Sequence, residues 1–234
     1  MDAFDFEVIA AEETPIGLIW LRHRRFAAAP GGFVAEISLD HEFLMSSETT
    51  ASERALSSSA LALHEGAALR ALVGGLGLGA TAHELLRSPR VAQLLVIELL
   101  QPVIDWHARG YVPLAAELRA DTRFRVERDD VYARLIAAPA AASAPHDLIL
   151  IDVDHSPDER LGPSSASFYS PESLALAKRH LAPGGVFGVW SYAESPRLEE
   201  TLRGVYADVR VESVAFANAV DAVPETNWLY LARG

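Results

Sequence analysis

Apolar positions follow two regimes along the chain. Over the first fifty residues they come in short runs split by turn formers. Phe6-Glu7-Val8-Ile9-Ala10 is followed by Thr14-Pro15-Ile16-Gly17 and then Leu18-Ile19-Trp20-Leu21. Proline and glycine between two apolar runs predict a β-hairpin. Ala29-Pro30-Gly31-Gly32 predicts a second turn, leading into Phe33-Val34-Ala35-Glu36-Ile37-Ser38-Leu39, which alternates with a period of two. Residues 1–50 are therefore expected to form a small β segment. So small a sheet does not bury both faces alone, and it is expected to pack on the rest of the chain or on a partner subunit.

From Ser52 the period becomes helical and stays so to His64, with Ser52 or Thr50 as the N-cap. Strands and helices then alternate. The pattern predicts strands over 68–73, 91–98, 124–127, 146–152 and 186–190, and helices over 80–86, from 102 onward and over 173–181. Two late strands are expected around 209–211 and 227–231, and the Ala/Pro/Ser stretch 137–145 reads as a surface loop. Nearly continuous apolar strands separated by helices predict a parallel sheet covered on both faces. The expected fold is α/β: a doubly wound, Rossmann-like sheet over residues 51–234, preceded by the β segment.

Composition narrows the function classes. A chain of 234 residues that is 50% hydrophobic suits one domain with a small appendage. Much of that fraction is alanine, which favours helices as much as it fills cores. With 32 Asp+Glu against 20 Lys+Arg the formal charge is -12. Such a surface repels a phosphate backbone and argues against general nucleic-acid binding. Cysteine is absent, which excludes disulfides, thiolate metal sites and a cysteine nucleophile. The eight histidines show no metal-ligand spacing, so no metal is expected, and no Gly-x-Ser-x-Gly elbow is present. The N-terminus is acidic, unlike an export signal, and the apolar runs are far shorter than the roughly 20 residues that span a bilayer. A soluble, cytoplasmic protein is expected.

Candidate chemistry centres on Val73-Gly74-Gly75-Leu76-Gly77-Leu78-Gly79-Ala80, between an expected strand and an expected helix. Glycines there allow a tight turn and close approach of a ligand to helix-opening N–H groups. Glu98 lies 19 residues beyond Gly79, at the end of the next strand, where an acid can accept from both ribose hydroxyls. The same loop also satisfies a relaxed NAD fingerprint. Glu98, Asp129, Asp130, Asp152 and Asp154 all fall at carboxyl ends of expected strands. A row of acids suits hydroxyls, an exocyclic amine and a positive charge, and it repels a pyrophosphate. S-adenosylmethionine, or its decarboxylated form, is therefore the expected ligand rather than NAD. Asp152, Asp154 and His155 are candidates for taking a proton from an acceptor. Trp190-Ser191-Tyr192 reads either as an acceptor-pocket wall or as core. Ser46-Ser47-Glu48-Thr49-Thr50 reads either as an acceptor-side loop or as a connection.

The order Gly74-Gly75-Leu76-Gly77-Leu78-Gly79, Glu98, Arg128-Asp129-Asp130, Leu150-Ile151-Asp152-Val153-Asp154, Phe168-Tyr169-Ser170-Pro171 and Leu181-Ala182-Pro183-Gly184-Gly185-Val186 resembles the spermidine synthase (polyamine aminopropyltransferase) family. It is most similar to a divergent bacterial branch with the S-adenosylmethionine methyltransferase fold. The resemblance runs over residues 35–190. It implies that Gly75, Gly77 and Gly79 line the donor's tail and ribose, that Glu98 holds the ribose, and that Asp129, with Asp130 beside it, faces the adenine amine. It implies Asp152 as the acid that deprotonates the attacking amine, Tyr169 as a further site residue, and a homodimer. Three departures stand out. Gly77 occupies the place of the family's loop aspartate. The Asp-Ser-Ser-Asp-Pro run becomes Asp152-Val153-Asp154-His155-Ser156-Pro157. The Tyr-His-Glu segment survives only as Ser52-Glu53. These departures lean toward methyl transfer from intact S-adenosylmethionine to a small-molecule acceptor. Aminopropyl transfer from the decarboxylated donor is the alternative, and a non-catalytic nucleoside- or partner-binding protein is the third reading.

Overall fold

The computed structural model describes residues 6–140, 143–153, 156–158, 168–217 and 224–234. The N-terminal alternation resolves into a four-stranded antiparallel sheet of β1 (Phe6–Thr14), β2 (Gly17–Arg25), β3 (Phe33–Leu39) and β4 (Glu42–Ser46), in that order. The first hairpin closes where Thr14 pairs with Gly17, and the Thr14 hydroxyl donates to the Gly17 carbonyl at 2.6 Å. Gly17 has φ +135°, and a Cβ there would lie 2.5 Å from the Asp40 carboxylate. That carboxylate instead accepts the Leu18 N–H at 2.8 Å, tying the first turn to the second. Strand β4 is absent from the sequence expectation, because its five residues carry too little alternation to stand out from a turn.

The inner face of this sheet supplies Ile19, Leu21, Ile37 and Leu39 to the same core as Trp106 and Leu118. Polar contacts add to the union. The Trp106 indole donates to Glu12 at 3.0 Å, and His23 Nε2 donates to the Tyr111 carbonyl at 2.8 Å. The β segment thus covers its apolar face on its own chain.

The second sheet has seven strands: β5 (Leu69–Gly74), β6 (Val91–Glu98), β7 (Phe124–Arg128), β8 (His146–Ile151), β9 (Leu181–Ser191), β10 (Asp208–Ala217) and β11 (Pro224–Arg233). Their order is β10-β11-β9-β8-β5-β6-β7. Strands β5 to β9 are parallel, and β11 runs antiparallel between β9 and β10. The helices are α1 (Ala51–Leu63), α2 (Ala80–Arg87), α3 (Gln101–Arg109), α4 (Ala115–Ala120), α5 (Val131–Ile136), α6 (Pro171–Lys178) and α7 (Pro196–Val205). Alternate residues of one strand enter opposite cores, as the two-residue pleat requires. In β8, Leu148 and Leu150 join the core shared with α1, while Ile149 and Ile151 join that of α5 and α6. This is the doubly wound arrangement expected.

Three details differ from the expectation. The sheet is not wholly parallel, because a ten-residue antiparallel hairpin closes one end. Its Leu229 and Leu231 face one core and Tyr230 and Ala232 the other, so the late strands are longer than their apolar stretches. The helix expected over 173–181 starts at Pro171, capped by the Ser170 hydroxyl accepting the Ser173 N–H, and stops at Lys178, so that Leu181 begins β9. Helices α4, α5 and α7 were not expected, since the first two span under two turns and the third is more polar than the sheet-covering pattern sought. Among the described residues no helix is long and apolar enough to cross a membrane.

Candidate functional site

β5 sits where strand order reverses, with β6 on one side and β8 on the other. A crevice opens at the carboxyl ends of strands at such a point. The loop from Gly74 to Ala80 lies there. Gly75 has φ +90°, and a Cβ on it would stand 2.1 Å from the Asp152 carbonyl oxygen. Gly77, at φ +46°, faces the Met45 sulfur, and Gly79, at φ +88°, faces Leu118. Chain packing alone therefore requires these glycines, in addition to any ligand. Gly75→Ala is expected to cost roughly 3 kcal/mol or more through left-handed backbone and overlap with a carbonyl. The melting temperature should fall by about 6–12 °C, and a thermal melt within 2 °C or so of the parent would refute this packing account.

The loop is held from two sides. Glu98, only 7% exposed, accepts the N–H groups of Leu76 and Leu100 at 2.8 Å each. Burial pushes its carboxyl up, while N–H donors from Leu100, Leu76, Gly77 and Leu99 hold it down. On the other side His107 Nε2 donates to the Gly77 carbonyl at 2.9 Å. Burial lowers the His107 pKa, which favours the neutral ring, with its proton on Nε2 and Nδ1 without a hydrogen-bond partner among the described residues.

Two cavities flank the loop. One, of about 150 Å³, is lined by Glu98, Asp129, Asp130 and Tyr132 with apolar residues of β2 to β4. The other, of about 290 Å³, is lined by Thr49, Thr50, Glu53, Asp152, Trp190, Tyr192 and Asn227 among others. Leu44, Met45, Gly77, Asp152 and Val153 line both. Met45, carried by β4, therefore sits at the junction of two compartments.

The acids expected at this edge divide by task. Asp130 caps α5, accepting the Tyr132 and Ala133 N–H groups at 2.9 and 3.1 Å. Asp129 accepts from Arg134 Nε at 2.8 Å and from the Asp130 N–H at 2.9 Å. Glu98 clamps the loop. Among the described acids Asp152 is the one that lines both cavities, and the Thr81 hydroxyl of α2 donates to it at 2.5 Å. Burial raises the Asp152 carboxyl to about 6, and the Thr81 bond opposes that rise.

Glu53, in the first turn of α1, lines the larger cavity with Asp152. Burial and then the negative charge of Asp152 raise its carboxyl to about 7. The Ser52 hydroxyl donates to Glu53 at 2.8 Å, and the Asn227 amide of β11 donates to Ser52 at 2.8 Å. Arg54 turns elsewhere, to Glu84 at 3.3 Å and Thr50 at 3.1 Å. Among the described residues no lysine or arginine lines this cavity. Glu53 was not singled out from sequence as a site residue, because a glutamate in a helix's first turn usually serves the helix dipole.

Tyr169 lines neither cavity. Its hydroxyl lies 3.2 Å from that of Tyr132, which lines the smaller one, and its ring packs edge-on against Phe168. The expected site residue Tyr169 thus stands one side chain behind the smaller cavity. Asp154 and His155 lie outside the described residues. Trp190 and Tyr192 line the larger cavity, and the indole Nε1 of Trp190 is buried without a hydrogen-bond partner among the described residues. Among the described residues no three His, Asp or Glu side chains converge as a metal site.

No protein-family model matches the chain. A polyamine aminopropyltransferase of Mycobacterium tuberculosis is 35% identical over 128 residues, which is 55% of this chain and 23% of that protein. A polyamine aminopropyltransferase of Streptomyces coelicolor is 34% identical over 122 residues, 51% of this chain and 21% of that protein. A putrescine N-methyltransferase of Nicotiana tabacum is 33% identical over 124 residues, 53% of this chain and 29% of that protein. The match thus spans less than a third of each of these relatives. In fold, spermidine synthase from Thermotoga maritima superposes with a TM-score of 0.74 at 18% identity, covering 97% of this chain and 72% of that one. A probable spermidine synthase from Corynebacterium glutamicum superposes at 0.67 with 16% identity, covering 97% and 80%. In sequence over half its length this chain is similar to polyamine aminopropyltransferases, and in fold over nearly all of it to spermidine synthases.

Proposed function

We propose that this chain is an enzyme that transfers an alkyl group from a nucleoside sulfonium donor to a small-molecule amine. Decarboxylated S-adenosylmethionine is the proposed donor and aminopropyl the proposed group. The observation that carries this reading is the larger cavity, in which Asp152 and Glu53 lie without a lysine or arginine among the described lining residues. Half-buried carboxylates side by side favour a cation, and an ammonium-bearing ligand supplies one. The reading reverses the preference for the intact donor drawn from Gly77 in sequence, because Glu53 brings a second carboxylate to the cavity from another element. The names of the Mycobacterium and Streptomyces relatives support the same choice.

Methyl transfer from intact S-adenosylmethionine is the second reading. It is favoured by Gly77, which leaves the loop without a carboxylate to repel the donor's own, and by similarity to a putrescine N-methyltransferase.

The residues present suit a nucleoside sulfonium. The smaller cavity offers acids and the Tyr132 ring beside the glycine loop, and Asp152 stands where the two compartments meet. A bound donor supplies an electrophilic carbon whose C–S bond breaks, with its electron pair passing to sulfur, as the amine nitrogen attacks. Asp152 takes the proton that this nitrogen must lose, and Thr81 fixes the carboxylate's direction. Glu98 and His107 keep the Gly77 peptide in place, so the cavity junction is formed before ligands arrive. A cytoplasmic homodimer belongs to the same proposal, and the outward Phe6 and Val8 of edge strand β1, 53% and 45% exposed, offer a surface for it.

Titration calorimetry with decarboxylated S-adenosylmethionine, S-adenosylmethionine and methylthioadenosine tests the reading. The decarboxylated donor is expected to bind at least about 10-fold more tightly than the intact one, since like charges facing each other cost several kcal/mol. Tighter binding of the intact donor would transfer the assignment to methyl transfer. Absence of binding by all three would leave a non-catalytic protein.

A further inference from the structure

Resting on the sulfonium-donor reading but going beyond it, we infer that Glu53 receives the terminal ammonium of the donor's tail and thereby decides which donor the protein accepts.

Four observations meet at this side chain. Glu53 lines the cavity opposite the loop residues Leu76 to Ala80, past which a tail leaving the nucleoside compartment at Met45 and Gly77 must run. Its direction is set from outside its own helix, because Asn227, 174 positions further along the chain, holds Ser52, and Ser52 holds Glu53. One carboxylate oxygen is engaged by Ser52, and no ion pair to Glu53 occurs among the described residues. The nearest guanidinium in sequence, Arg54, makes its contacts to Thr50 and Glu84 and reaches Glu53 only as a nearby charge, the smallest of the influences on its carboxyl.

The surroundings choose the sign of the ligand. Glu53 and Asp152 both line this cavity, with Trp190 among its aromatic lining residues. A tail ending in ammonium completes a charge-assisted hydrogen bond to Glu53. A tail that also carries a carboxylate sets a further negative charge beside Glu53 and Asp152, with no lysine or arginine among the described lining residues to answer it. Discrimination between the two donors then follows from one helix residue and not from the glycine loop, which has no ionisable side chain between Gly74 and Ala80.

The test compares the full-length parent with Glu53→Gln, which keeps the shape and removes the charge. Affinities are measured for decarboxylated S-adenosylmethionine, for the intact form and for methylthioadenosine, which has neither amine nor carboxylate. Glu53→Gln is expected to lose about 30-fold or more toward the decarboxylated donor, as when one partner of an enclosed charge pair is removed. Its affinity for methylthioadenosine should stay within about 3-fold, so that preference between the two donors narrows or inverts. Equal losses on all three ligands would overturn the assignment by showing a merely structural role. Unchanged affinity for the decarboxylated donor would overturn it as well. A parent protein that binds methylthioadenosine yet prefers the intact donor overturns this inference while leaving the nucleoside site standing. A parent that binds none of the three overturns the donor reading itself. Should the glutamine variant fail to fold, Glu53→Asp withdraws the carboxylate by one methylene. It is then expected to weaken only the decarboxylated donor, and a matching loss on methylthioadenosine would sink the inference.

Discussion

Asp152→Asn is expected to reduce kcat by about 10²–10⁴, the range that a positioned proton acceptor contributes. Affinity for methylthioadenosine should change by less than about 3-fold, since the amide still accepts the Thr81 hydroxyl and still fits the junction. The pH profile provides a second readout. With carboxyls near 6 and 7, the Asp152 and Glu53 pair is ionised above neutrality and gains protons below it. Activity of the parent should therefore fall as pH drops from about 8 to 5, with apparent values that belong to the pair. The stability consequence has the opposite sense. Both carboxyls titrate above their unfolded values of about 4, so between pH 4 and 7 the native state holds protons that the unfolded chain has released. Stability from this pair is present at low pH and is lost as pH rises through 6 and 7. Removing one charge with Asp152→Asn should thus raise the melting temperature at pH 8, on the order of 2–6 °C, raise it less at pH 5, and leave it unchanged only below the unfolded value of about 4. A variant that retains activity within 10-fold or so would remove Asp152 from proton transfer.

Glu98→Ala is the second large effect. It leaves the Leu76 and Leu100 N–H groups buried without an acceptor. Each such loss costs about 1–3 kcal/mol, offset in part by relief of an enclosed carboxylate. The expected result is a melting temperature lower by about 5–10 °C together with at least 100-fold weaker nucleoside binding. Measuring both separates two roles that one residue combines. A fall in stability with unchanged affinity for methylthioadenosine would make Glu98 a loop clamp only. Lost affinity in a protein that melts like its parent would make it a ribose ligand only. Glu98→Gln sharpens the contrast, because one amide oxygen replaces two carboxylate oxygens and leaves one of the two N–H groups without its acceptor.

The amino-acid sequence by itself determined the elements whose patterns are strong. Proline and glycine between apolar runs specified the hairpin of β1 and β2, period-two alternation after a Pro-Gly-Gly turn specified β3, and continuous apolar runs specified β6 and β8. The glycine loop and the strand-end acids were legible for the same reason: their neighbours in sequence are also their neighbours in space. Tasks that depend on distant residues were not legible. The local pattern does not distinguish Asp130, a helix cap, from Asp152, a cavity carboxylate, since both are acids ending apolar strands. Nor does it show Tyr169 held behind Tyr132, or His107 reaching back to Gly77. Glu53 is the sharpest case. In sequence it is one acid in the first turn of an alanine- and serine-rich helix. Only the tertiary structure brings it to Asp152 from 99 positions away, fastens it through Asn227, and withdraws both in part from solvent. Charge pattern is a local property, whereas desolvation and pairing belong to the folded chain, and the proposed choice of donor depends on the latter.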